Sequence, residues 1–173
     1  MNTTIFNFFF SLSTNPFIAG SALFVSNILI YILVILAIII SFFIRRDIFD
    51  VILLLSAGAS SWIASYVIKN ITHISRPFVE LNLTPLFMES GFSFPSSHVT
   101  AISAISVIIW SIDYRLGIVF FIFTIMVAVS RMVIGVHYPV DVIGGLILGV
   151  LIGLSVLWFY NATHQFAFLR KYI

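Results

Sequence analysis

The chain has 173 residues, 61% of them hydrophobic types, 16% aromatic and 8% charged, with mean hydropathy +1.20 and net charge +2. A water-soluble domain of this size and composition would expose far too much apolar surface, so the sequence reads as a polytopic helical membrane protein, one domain over residues 1–173. No run of Lys or Arg is dense enough to grip nucleic acid, and the lack of Cys excludes disulfides, a thiolate nucleophile and zinc–cysteine sites.

Residues 2–15 (NTTIFNFFFSLSTN) hold a Phe cluster between polar flanks. The cluster is too short to span and predicts an interfacial helix, with partial entry into the membrane as the alternative. The opening Met1-Asn2-Thr3-Thr4 lacks a basic start and no small-residue cleavage site follows, so no signal peptide is expected. After Pro16, Gly20–Ile44 is one long apolar run that predicts a tilted span, closed by Arg45-Arg46-Asp47. A second span is expected over Asp50–Ile68, stopping at Lys69. Thr72–Ser97 is the longest polar stretch and carries Pro77, Pro85 and Pro95 with the acids Glu80 and Glu89. The third span, Val99–Ile112, is short, and Pro95-Ser96 is placed to start its helix early. The fourth and fifth spans are expected over Leu116–Val129 and Val140–Tyr160, before a tail ending in Arg170-Lys171. The fold class that follows is an all-α transmembrane bundle of about five spans plus the short N-terminal helix, with a six-helix core as the alternative. Gly144, Gly145, Gly149 and Gly153 form a small-residue face on the last helix that predicts close helix packing.

Arg45/Arg46, Arg115 and Arg170/Lys171 alternate onto one side, which the positive-inside bias makes cytoplasmic. The opposite side then receives Lys69, Arg76 and Arg131, on the face that ordinarily lacks cations, together with every polar residue suited to chemistry.

Those residues fall into three clusters. In KNITHISRP, Lys69 and Arg76 are two helical turns apart and can face one way before Pro77 breaks the helix. The bland alternative is a helix-end Lys that snorkels, and His73 between them reads as interfacial. In PSSH, Ser96 and Ser97 open a helix whose free N–H groups suit an anion, and His98 could protonate a leaving group. A plain Ser cap with a bystander His fits that cluster equally well on its own. In SRMVIGVHYPVD, His137 and Asp141 are one turn apart, so the carboxylate can fix the imidazole tautomer and free the other nitrogen as base, nucleophile or ligand. Arg131 supplies a planar charged fork, and a wet loop with a snorkelling Arg is the alternative there. Together the clusters hold three cations, a helix-start anion pocket and two histidines, an inventory that suits in-line displacement at phosphorus. The outer acids Glu80, Glu89 and Asp141 are dispersed in sequence and suit a metal mechanism poorly.

The ordered set K-x6-RP, PSxH and SR-x5-H-x3-D resembles the type 2 phosphatidic acid phosphatase family, and the compact size with the HYPVDVIGG run resembles its small prokaryotic undecaprenyl-diphosphate phosphatases. Ser97 departs from the family, standing where many members have Gly. The resemblance implies a metal-independent phosphohydrolase with no cofactor. His137 would be the nucleophile forming a phosphohistidine, Asp141 its orienting partner and His98 the acid. Lys69, Arg76, Ser96, the Ser97 amide and Arg131 would bind the phosphoryl oxygens. The expected partner is a lipid phosphate drawn from the bilayer, because the roughly seventeen residues between the first two motifs leave no room for a separate binding domain. The favoured substrate is undecaprenyl diphosphate. The alternatives are phosphatidylglycerophosphate or phosphatidate hydrolysis, lipid phosphotransfer, and a non-enzymatic membrane protein that keeps the motifs as scaffold.

Overall fold

The computed structural model describes residues 2–44 and 48–170, with the side chains of 164–170 left aside. Helix α1 (Asn2–Ser11) runs through a 3-10 turn, Leu12–Thr14, into α2 (Pro16–Asn27), and α3 (Leu29–Ile44) follows. Then come α4 (Ile48–Thr72), the one-turn α5 (Pro77–Glu80), α6 (Ser97–Ile112), α7 (Tyr114–Val133) and α8 (Pro139–Arg170). The described part is helical without strands. By length and composition, 48–80, 114–133 and 139–163 can each cross a membrane, and α3 and α6 are shorter apolar helices.

The helix boundaries depart from expectation at several places. The apolar run after Gly20 is interrupted at Ile28, although the ladder nearly continues through Ile28 N–H to Phe24 O (2.9 Å) and Ile32 N–H to Ile28 O (3.3 Å). The second span extends to Thr72 but stops there rather than running on to Pro77, so Lys69 and Arg76 do not share one helix as their spacing suggests. The fourth runs from Tyr114 to Val133, and the last helix continues past Tyr160 to Arg170. The N-terminal helix does more than lie at an interface. It turns by 113° into α2, where Asn15 caps the new helix by accepting from Phe17 and Ile18 N–H and Pro16 takes the first helical position. Phe6 is fully buried, stacked on Phe10 and edge-on to Tyr138. Arg45, Arg46 and Lys171 lie outside the described residues, as does the side chain of Arg170.

Helix α6 is the hub, packed against α4, α7 and α8 and buried continuously from Val99 to Ile109. In a bilayer, association gains little from apolar burial, so close backbone approach and polar contacts between helices decide the packing. Both occur here. A Cβ on Gly145 would stand 2.8 Å from Ser96 O, and one on Gly149 would collide with Thr100 O and with Ser103 Cβ (2.6 Å). Ser103 Oγ donates to Leu146 O on α8 (2.9 Å), and Ser106 Oγ lies 3.1 Å from Thr124 Oγ1 on α7. The glycine face expected on the last helix is therefore the seam along which α8 meets α6. That seam fixes Asp141, in the first turn of α8, against the start of α6, where Ser96 N–H donates to Asp141 O (3.1 Å).

Asp113 reverses the chain at the far end, its Oδ1 accepting from Arg115 N–H (2.8 Å) and Leu116 N–H (3.1 Å) to cap α7. The bundle thus brings the end of α4, the start of α6, the end of α7 and the start of α8 to one end, and leaves Arg115 exposed at the other.

Candidate active site

The three clusters, separate in sequence, converge at that end. His137 is 1% exposed, in the loop between α7 and α8, with Nδ1 3.4 Å from Asp141 Oδ2. Asp141 is fully buried, and its Oδ2 also accepts from Tyr138 N–H (2.7 Å), which ties the carboxylate to the backbone beside the histidine. Ser93, buried in the segment before α6, donates Oγ–H to the same carboxylate oxygen and lies 3.3 Å from His137 Nδ1. With Nδ1 turned to this pair, Nε2 is the nitrogen that faces the site. Burial, followed by the charges of Arg131, Arg76 and Lys69, pushes the His137 imidazole well below its ordinary range, so the ring is neutral and keeps a lone pair.

The cations are placed by backbone as much as by acids. Arg76, 5% exposed, donates Nε–H to Gly91 O (3.0 Å), Nη2–H to Ser90 O (3.1 Å) and Nη1–H to Val136 O (3.3 Å). Lys69 Nζ donates to Phe92 O (2.8 Å) and Ser93 O (2.9 Å). The first motif therefore clamps residues 90–93 and, through Ser93, sets the Asp141–His137 pair. Arg131, on the last turn of α7, is fully buried and donates Nη1–H to Ser26 Oγ on α2 (2.8 Å).

A polar cavity of about 300 Å³ opens here, lined by Trp62, Tyr66, Lys69, Arg76, Glu89, Ser90, Ser97, His98 and His137. Five of the eight residues proposed from sequence line it directly. Arg131 and Asp141 stand behind the wall, the first reaching Glu89 and the second reaching His137. Ser96 caps α6 without a side-chain cap bond, and its Oγ is buried without a partner, as are Arg131 Nε and Asp141 Oδ1. His98, half-buried, rests edge-on to Trp62 at 5.9 Å between centroids. His73 stays exposed, edge-on to Phe92 with ring centroids 4.5 Å apart.

Three participants escaped sequence reasoning. Ser93 and Ser26 lie outside the recognisable motifs. Glu89, read as one of several dispersed acids, bridges Arg76 Nη1 (2.6 Å) and Arg131 Nη2, with Oε2 4.0 Å from His137 Nε2. Glu80 instead accepts from Tyr138 Oη (2.9 Å).

Residues 49–165 match the family described as the PAP2 superfamily. The chain belongs to that family. Among PAP2 relatives, undecaprenyl-diphosphatase BcrC of Bacillus subtilis is 32% identical over 110 residues, 63% of this chain and 57% of the relative. Phosphatidylglycerophosphatase B of the same organism is 30% identical over 135 residues, 72% of this chain and 64% of the relative. The chain thus spans less than two thirds of the length of these two curated relatives. The crystal structure of a transmembrane PAP2 type phosphatidylglycerolphosphate phosphatase from Bacillus subtilis superimposes with a TM-score of 0.66 at 26% identity, covering 86% of this chain and 77% of that one. The PAP2 helical arrangement is therefore shared.

Proposed function

We propose that the chain is an integral-membrane phosphohydrolase of lipid phosphates and diphosphates that works through a phosphohistidine on His137, with undecaprenyl diphosphate as its substrate. The observation that carries the reading is the constellation itself. A neutral imidazole backed by a buried carboxylate faces a seat in which two guanidiniums already grip an anionic group. In this mechanism His137 Nε2 attacks phosphorus as the bond to the leaving oxygen breaks, and His98 supplies that oxygen with a proton. Water then attacks the phosphohistidine, gives a proton back to His98, and leaves with phosphorus as orthophosphate. Lys69, Arg76, Arg131, Ser96 and the Ser97 amide hold the phosphoryl oxygens and stabilise the charge gathered in the transition state. The seat's positive charge comes from side chains, so the reading asks for no metal.

Support for a lipid comes from a second groove, about 390 Å³, lined by apolar residues of α3, α4 and α6 that include Ile30, Val34, Leu54, Leu55 and Ile105. Trp62 lines both this groove and the polar cavity, which supports a substrate whose hydrocarbon chain lies along the first with its headgroup at the second. The BcrC relative favours an isoprenoid diphosphate. The second reading, phosphatidylglycerophosphate or phosphatidate, is favoured by the other relative and by the superimposed structure. We assign the catalytic end to the extracytoplasmic side on the positive-inside bias of the sequence, in which Arg115, at the opposite end, alternates with Arg45, Arg46, Arg170 and Lys171. The test is phosphate release from a panel of lipid mono- and diphosphates by purified protein in excess EDTA. Release that is strongest with undecaprenyl diphosphate is expected. No release from any lipid phosphate, or release that returns only with magnesium, would overturn the reading.

A further inference from the structure

The centre of the anion seat is held by a carboxylate of the chain itself. Glu89 takes Nη1 of Arg76 and Nη2 of Arg131, and its Oε2 stands 4.0 Å from His137 Nε2. The other guanidinium donors with partners are spent elsewhere, Arg76 Nε and Nη2 on Gly91 and Ser90 carbonyls and Arg131 Nη1 on Ser26, while Arg76 Nη1 also donates to Val136 O beside His137 (3.3 Å). The donors that face the nucleophile are thus the ones Glu89 occupies. A carboxylate and a phosphoryl group present the same two-oxygen edge to a guanidinium fork. A phosphorus atom poised for attack must approach the nitrogen to roughly 3–3.5 Å. It would have to enter the space that Glu89 Oε2 now fills, so the two cannot be seated together.

Glu89 is also placed to leave. It belongs to the irregular stretch between α5 and α6, flanked by Met88, 74% exposed, and by exposed Ser90. The carbonyls of Ser90 and Gly91 remain tied to Arg76 and those of Phe92 and Ser93 to Lys69, so the side chain can swing out while the following segment stays anchored. We propose that Glu89 is a built-in competitor for the phosphate seat, occupying it in the resting protein and displaced by the phosphoryl group of the substrate. The identity of the incoming group rests on the phosphohydrolase reading above. Burial alone would raise this carboxyl, but the Arg131 and Arg76 guanidiniums outweigh it and hold Glu89 below the ordinary carboxylate range, so the competitor is charged at neutral pH. Such a competitor disfavours small phosphates, product orthophosphate included, and admits ligands whose hydrocarbon chain or second phosphate offsets the displacement.

The test is the affinity of orthophosphate and orthovanadate for the wild type and for Glu89→Gln, which keeps the shape and removes the charge. Affinity is measured by equilibrium dialysis with labelled phosphate, without turnover, and in parallel as inhibition constants. Glu89→Gln should bind both anions more tightly by about ten-fold or more, the order of a lost charge-assisted hydrogen bond. Equal or weaker binding would overturn the proposal and make Glu89 a structural partner of the arginines. Should Glu89→Gln fail to fold, a nitroxide on Met88→Cys, which would be the sole thiol, reports the same event with Glu89 intact. Its spectrum should change on saturation with vanadate, and an unchanged spectrum would overturn the proposal. Tighter phosphate binding by Glu89→Gln in a protein that hydrolyses no lipid phosphate would sink the phosphohydrolase reading alone. Hydrolysis with unchanged anion affinity would sink this proposal alone.

Discussion

Ser26→Ala is the substitution that tests how far the site extends beyond its motifs. Ser26 is on α2, ahead of the matched residues 49–165 and 105 positions from Arg131, yet its Oγ accepts from Arg131 Nη1 at 2.8 Å with both residues fully buried. Removing the hydroxyl leaves a buried guanidinium N–H without a partner, and Arg131 Nε already lacks one. A hydrogen bond to a charged group contributes about 1.5–3 kcal/mol, and a buried donor left unmade costs its desolvation as well. At about 1.4 kcal/mol per decade, the same loss expressed in anion affinity is roughly 10- to 150-fold as an upper bound. The assay is thermal unfolding in detergent together with the inhibition constant for orthovanadate. Ser41→Ala serves as control, since Ser41 is equally buried but among the described residues its Oγ bonds only to Ala37 O within α3 (2.9 Å). Ser26→Ala should weaken vanadate inhibition where Ser41→Ala does not. Equal vanadate affinity in Ser26→Ala and wild type would refute the claim that α2 positions the arginine, even if stability fell.

His98→Ala should lose roughly 10²–10⁴ in turnover on a lipid phosphate, the scale of a general-acid contribution, and recover part of it on p-nitrophenyl phosphate, whose leaving group needs the proton least. His137→Ala should be rescued on neither substrate, and rescue of that variant would reverse the two roles. In intact cells an impermeant maleimide should label Met88→Cys and spare Arg115→Cys, because the two positions lie exposed at opposite ends of the bundle. The opposite pattern would invert the assigned topology. Gly149→Ala should destabilise the fold by about 1–3 kcal/mol, as overpacking does, since its Cβ would meet the α6 backbone at Thr100. An unchanged unfolding temperature would show that α8 can move off α6 freely.

The parts of the site legible in the sequence were those written into local spacing. His137 and Asp141 sit four residues apart around a helix start, so their pairing survives without knowledge of the fold. Lys69 and Arg76, in contrast, reach the same site without the shared helical register their spacing suggests, because α4 ends at Thr72 and residues 73–76 are not helical. The apolar helices were legible from composition, and the Gly145–Gly149 seam from small residues one turn apart. What was not legible depends on distant elements meeting. Ser93 and Ser26 are ordinary serines until α8 and α7 deliver Asp141 and Arg131 to them. Glu89 carries no mark in its neighbours that sets it apart from Glu80, yet one enters the arginine pair and the other meets a tyrosine hydroxyl. The interruption at Ile28 falls between Asn27 and Leu29, with neither Gly nor Pro to announce it.

The central claim, that His137 attacks phosphorus, is tested most directly by trapping the covalent intermediate. Purified protein is mixed with a lipid diphosphate labelled in its terminal phosphate, quenched with alkali within the first turnover, and the labelled peptide is mapped. The account predicts a base-stable, acid-labile phosphoryl group on His137, absent from His137→Ala and still formed by His98→Ala with an activated phosphate ester. Label on another residue, or label retained by His137→Ala, would contradict it.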